Sequence, residues 1–343
     1  PLLPGEQIEF THDFELYMPD REGTFGQAGR QLNLSYWFPI IPPKTEVGWQ
    51  VNEISWANSF FIGEFLVLEA ADFEVKIDFT DRRENLTIAA GALPHEENGV
   101  ITYKSHLVRT FTLSISDSFV MTERDFNGIK IQSYAFIEHA DVGETTADVA
   151  EEALALYTYV YGPYLQNVLS IVEFNADIGM EFDGLIYLSP AFYNLYPGNP
   201  KSNIHVYTAH EIAHQWFYSQ LANDQALEPW LDEAFATFSE GLFYENVYPE
   251  YFSWWKQNYI DAHNPTGRID ISIYYAEDLF EYRTIVYRNG ALFLFELRET
   301  IGDEAFFEFL RNYINKFRYE IVTSKDFWET LREYTDADLS SIQ

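Results

Sequence analysis

The stretch that decides the reading is 210-HEIAHQW-216. His210 and His214 are four residues apart, and on a helix that spacing puts both imidazoles on one face, close enough to share an ion. The surrounding run 202-SNIHVYTAHEIAHQWFYSQL-221 has no internal Gly or Pro and reads as a helix, with Ile212, Ala213, Trp216 and Phe217 on a buried side. A lone histidine on such a face is usually just a satisfied core residue. Two histidines are also an incomplete zinc site, which takes a third protein ligand and keeps one open position. The segment 228-EPWLDEAFATFSE-240 supplies a candidate. Pro229 is placed as at a helix start, and Glu233 follows His214 after 18 residues. His210, His214 and Glu233 would hold one zinc ion tetrahedrally. Glu211, beside His210 but off the ligand face, would take a proton from water at the open position and later pass it to the leaving amine.

The bulk composition fits a folded globular chain of about two domains. The chain has 343 residues, of which 47% are hydrophobic, with 24 Tyr, 29 Phe and 8 Trp. The 54 Asp and Glu against 21 Lys and Arg leave a formal charge of −33. Such a surface repels phosphate backbones and anionic lipid, so nucleic acid is an unexpected partner. With no cysteine, disulfides and thiolate ligands are excluded, and any metal must be held by His, Asp or Glu. No run approaches the ~20 apolar residues of a membrane span. The acidity, the lack of cysteine and the start at Pro1 point to a trimmed, extracytoplasmic or secreted protein. The cytoplasm of a salt-adapted organism is the alternative.

Residues 1–127 read as a β-rich domain. The stretches 31-QLNLSYWF-38, 73-FEVKIDF-79 and 108-VRTFTLSIS-116 alternate apolar and polar positions, as half-buried strands do. The strand 128-GIKIQSYAF-136 opens a second domain, 128–343. There 144-ETTADVAEEALALYTYVYGP-163 reads as a helix stopped by Gly-Pro, 168–174 and 184–189 as short strands, and most of the chain beyond 202 as helix. The fold class is therefore α+β.

The pattern H-E-x-x-H, 18 residues, then Glu resembles the gluzincin zinc metallopeptidases of the aminopeptidase N type, which include the leukotriene hydrolase–aminopeptidases. The run 210-HEIAHQWF-217 continues the likeness. So does 230-WLDEAFATFSE-240, which resembles W-L-N-E-G-F-A with Asp232 and Ala234 as departures. Residues 160–174 and 286–313 agree as well. The resemblance implies a thermolysin-like, mainly helical catalytic domain over 128–343. It implies that Tyr287 donates to the oxyanion and that Glu240 orients a histidine ligand, with an exposed helix carboxylate as the alternative for Glu240. The family's Gly-x-Met-Glu-Asn becomes 178-IGMEF-182 here. Gly179, Met180 and Glu181 are the implied substrate-binding residues, with Glu181 holding the free α-amine, while Phe182 removes the amide of Asn. The family's helical C-terminal domain does not follow Gln343, which reads as a cut chain or an open cleft.

The expected function is zinc-dependent removal of N-terminal residues from peptide substrates. The altered motif at 178–182 keeps a zinc endopeptidase or other zinc hydrolase as an alternative. A non-catalytic scaffold that has retained the fold is the alternative from another class.

Overall fold

The computed structural model describes residues 6–45, 48–52, 63–79 and 86–339. Two antiparallel sheets build most of the N-terminal part. One runs in the order Phe25–Ala28, Gln31–Leu34, Leu113–Ser116, Thr87–Ala90, and the other in the order Ala71–Asp78, Val100–Val108, Pro94–Glu97. Val75, Ile101 and Tyr103 of the second meet Ala90 and Leu113 of the first in a shared apolar core. The stretch 108–116, expected as one strand, is divided between the two sheets. Its break has a physical cause at Arg109. The Arg109 and Thr110 amides donate to the Asp183 carboxylate instead of joining a ladder. The buried Arg109 guanidinium donates to the carbonyls of Leu68, Tyr218 and Glu320. One cation thus ties the N-terminal part to the C-terminal part.

In the second part, β1 (Phe119–Phe126) and β2 (Ile129–Phe136) form a hairpin. The expected boundary at 127/128 falls in its turn, where Asn127 and Gly128 both have left-handed φ, 53° and 88°. From β2 the helix α1 (Ala140–Tyr161) crosses over and returns as β3 (Val168–Glu173), parallel to β2. β4 (Met180–Phe182) and β5 (Leu185–Leu188) complete a sheet ordered β1-β2-β3-β5-β4. β4 is therefore an edge strand.

Helices α2 (Asn203–Ala213) and α3 (Trp230–Val247) pack on α1. The apolar face of α1 recurs at helical spacing through Ala150, Ala153, Leu154, Tyr157 and Tyr161, all buried. Tyr157 locks the three together, because its hydroxyl lies 3.1 Å from the Ala209 carbonyl of α2 and 2.9 Å from the Ser239 carbonyl of α3. The α2 helix ends eight residues before the expected Leu221. After His214 the chain turns back, with Tyr218 at φ 137°. The Gln215 amide then clamps the end of α2 to the β4–β5 turn, accepting from Gly184 N at 2.9 Å and donating to Phe182 O at 3.1 Å. Helices α4 (Gly290–Ile301), α5 (Asp303–Lys316) and α6 (Ser324–Leu331) complete the α+β architecture. Among the described residues no helix is long and apolar enough to cross a membrane.

Replacing Arg109 by Met would leave the carbonyls of Leu68, Tyr218, Ser219 and Glu320 without their donor. The expected loss is about 3 kcal/mol or more, read from chemical denaturation.

Candidate active site

α2 presents both histidines to α3. His210 Nε2 and His214 Nε2 are 3.2 Å apart, and Glu233 Oε2 lies 3.2 Å from the first and 3.4 Å from the second. The opposite ring nitrogens are committed. His210 Nδ1 donates to Glu240 Oε1 at 2.7 Å, and His214 Nδ1 donates to the Phe217 carbonyl at 2.9 Å. A carboxylate and a carbonyl can only accept here, so each Nδ1 carries the proton. In the neutral rings both Nε2 lone pairs then face each other and a carboxylate oxygen. Three acceptors converging in this way repel unless a cation sits among them. Zinc bonds of ~2.0–2.1 Å in a tetrahedron set ligand atoms about 3.3 Å apart, so these residues fit a zinc ion.

Glu240 is itself held from behind. It is buried, and its Oε2 accepts from Trp255 Nε1 at 2.8 Å. Tyr287 lies on a π-helical turn, Arg283–Asn289, that leads into α4. Its ring stacks on His210 and its hydroxyl donates to Glu233 Oε1 at 2.5 Å. A close approach of helices sets this contact, since a Cβ on Gly290 would stand 2.5 Å from the Ala234 Cβ. Gly179 is equally constrained. A Cβ there would meet Glu211 Oε1 at 2.0 Å, so a larger residue would push this carboxylate from its place.

Edge strand β4 aims Glu181 at the same place. Ligand atoms of Glu181, Glu211 and His214 lie within 4.8 Å of one another, as do those of Glu64, Glu181 and Glu233. The cleft they line holds about 150 Å³. Met180 and Phe182 turn to the other face of β4, into a cluster with Tyr134, Phe174 and Tyr187. Met180 also borders an adjoining hollow of about 610 Å³, shared with Tyr36, Phe65 and Leu279. A larger hollow, about 810 Å³ beside Trp230 and Trp328, touches none of the triad.

So many carboxylates in one buried space disturb one another. Burial, reinforced by Glu181, pushes Glu211 up to about 8, although His210 and His214 oppose the shift. Burial and then Glu233 push Asp232 up to about 8. Burial works against charge on His214, yet Glu181 and Glu233 outweigh it and raise the ring to about 10. Burial likewise opposes charge on Glu233, and His214 and His210 outweigh it, holding that carboxyl below the usual range. These directions agree in one respect: the site is short of positive charge, which a divalent ion would supply.

Residues 141–343 match the peptidase family M1 domain. The chain belongs to peptidase family M1.

Relatives in the family agree with the resemblance read from the motifs. Aminopeptidase N of Lactobacillus delbrueckii subsp. lactis is 27% identical over 297 residues, covering 79% of this chain and 35% of the relative. Aminopeptidase M1-B of Oryza sativa subsp. japonica is 29% identical over 222 residues, 60% of this chain and 25% of the relative. Aminopeptidase 2, mitochondrial, of Saccharomyces cerevisiae is 26% identical over 234 residues, 62% and 24%. The chain thus spans about a quarter to a third of the length of these M1 relatives.

Sequence reasoning missed several residues of the M1 site. Glu64 comes from the N-terminal part, and its only signal was a single carboxylate inside the apolar run 60–68. Gln225, whose Nε2 donates to Glu181 Oε1 at 3.3 Å, gave no signal. Arg283, Tyr207 and Tyr259 also line the cleft unannounced. Glu240→Ala removes the acceptor that fixes the His210 tautomer. The expected result is a roughly 10- to 100-fold weaker affinity for a divalent metal, read by competition with a chelator.

Proposed function

We propose that this chain carries the catalytic unit of a zinc-dependent aminopeptidase. One observation carries the reading: three ligand atoms 3.2–3.4 Å apart share a cleft with Glu211, Tyr287 and Glu181. A zinc ion held by His210, His214 and Glu233 would supply Lewis acidity, lowering the pKa of water and polarising a peptide carbonyl. Glu211 is the proton carrier. It lies beside the ligand set in the cleft, where its carboxylate would accept a proton from the attacking water and return it to the leaving amine. The Tyr287 hydroxyl, now on Glu233, is free to turn its donor to the carbonyl oxygen as that oxygen gains charge. Glu181 and Glu64 form an acidic end that suits a substrate's free ammonium group. The apolar hollow by Tyr36, Phe65 and Met180 lies beside that end and suits the side chain of the residue removed.

The decisive comparison uses the zinc-loaded chain with one peptide in two forms, free and N-acetylated at its first residue. Cleavage of the free form alone is the expected result, because an acetylated nitrogen offers no charge to Glu181. Equal cleavage of both would make the protein an endopeptidase. In parallel, Glu211→Gln should lower kcat by roughly 10²–10⁴ while zinc content stays at the wild-type level. Persistence of hydrolysis in that variant would overturn the role given to Glu211, and no hydrolysis by the zinc-loaded wild-type chain would leave a scaffold.

A further inference from the structure

The cleft is divided by charge. His214 marks the end where Glu181, Glu211 and Glu64 gather. Tyr207 marks the other, seven residues earlier on α2, or about 10 Å along a helix axis. Its ring lies 6.5 Å from that of Tyr259, and the Tyr259 carbonyl accepts from Arg288 Nε at 3.0 Å. Arg288 lines the cleft here, and Arg283 lines it as well while also bordering the hollow by Tyr36 and Met180. Five residues apart, they would diverge by about 140° on an α-helix. They sit instead on the π-helical turn Arg283–Asn289, whose wider coil brings residues five apart toward one face.

Neither guanidinium has an acidic partner among the described residues. The half-buried Arg288 adds only a 3.4 Å contact to Thr284 Oγ1, and Arg283 makes no hydrogen bond or ion pair there. This holds in a chain with 54 acidic residues. Glu240, the carboxylate that acts on Arg288, is already engaged by His210 and Trp255. Two adjacent unpaired guanidinium groups in a cleft form a fork for a carboxylate.

We propose that Arg283 and Arg288 form a carboxylate-binding subsite for the portion of the peptide that departs with the new amine. The proposal rests on the aminopeptidase reading, which puts the substrate's ammonium at Glu181 and its remainder toward Tyr207. Two sources offer the same carboxylate. One is the C-terminus of a short peptide, since three extended residues span about 10 Å. The other is an acidic side chain after the cut.

Binding is measured by calorimetry on the zinc-loaded Glu211→Gln chain, which holds substrate without turning it over. The probes are Ala-Ala-Ala as free acid and as C-terminal amide, and Ala-Glu-Ala and Ala-Gln-Ala, both as amides. The acid should bind about tenfold or more tighter than its amide if the terminus is the source, and the Glu peptide tighter than the Gln peptide if the side chain is. Adding Arg283→Gln or Arg288→Gln should bring the ratio toward one, and Arg288→Lys should restore part of it. Arg283 is exposed, so its variant tests the subsite without burdening the fold. Equal binding in both pairs, or a ratio that survives the double Arg283→Gln, Arg288→Gln change, overturns the proposal. Because the ratio is read from binding, it stands apart from the test of the aminopeptidase reading. Cleavage of an acetylated peptide by the wild-type chain would sink that reading alone.

Discussion

Two hydrogen bonds that point away from the cleft govern everything inside it. Glu240 and the Phe217 carbonyl each take the Nδ1 proton of one imidazole, and by doing so aim both Nε2 lone pairs at a common point. The scaffold makes those two acceptors available. Glu240 is steadied by Trp255, and Phe217 is carried round by the turn that ends α2 early. A longer, straighter helix would have kept the His214 spacing but moved the Phe217 carbonyl into the helical ladder, leaving His214 free to rotate. The early stop is therefore a part of the site rather than an interruption of it.

Around that point the protein tolerates a poor arrangement of charge. Buried carboxylates crowd two rings, and Glu211, Asp232 and His214 are all raised, as suits a site built to enclose a cation. Packing elsewhere in the molecule holds the frame around this point. The Tyr157 hydroxyl joins three helices, Gly290 lets α4 lie against α3, and Arg109 gathers carbonyls from both parts of the chain.

The ligand set was legible because its logic is local. Four residues along one helix and a carboxylate at the start of the next need no knowledge of the distant chain. Tyr287 was legible only through family resemblance, since nothing in its spacing separates it from 23 other tyrosines. Glu64 was invisible for a different reason: it reaches the cleft across a domain contact that no periodicity encodes. The strand assignments failed where side chains took over backbone hydrogen bonds, as Asp183 does at Arg109 and Thr110. Alternation of apolar and polar residues slips by one at Arg109 and Thr110, the place where the chain changes sheet. Met180 shows the converse. Its neighbour Glu181 faces the cleft, so the pleat sends Met180 to the other side of the strand, a consequence of period two that the motif alone does not state.

Glu64 also bears on how such proteins can change over generations. The segment that matches the family model begins at residue 141, yet part of the acidic end of its cleft is contributed from residue 64, and two strands of its sheet precede residue 137. The two parts of the chain therefore do not behave as interchangeable modules. A recombination event that joined a foreign N-terminal part to this catalytic part would replace one wall of the cleft along with the domain. Inheritance of the two parts as a unit preserves the selectivity of the site, and their exchange is a route by which a lineage could alter it without a single substitution near the histidines.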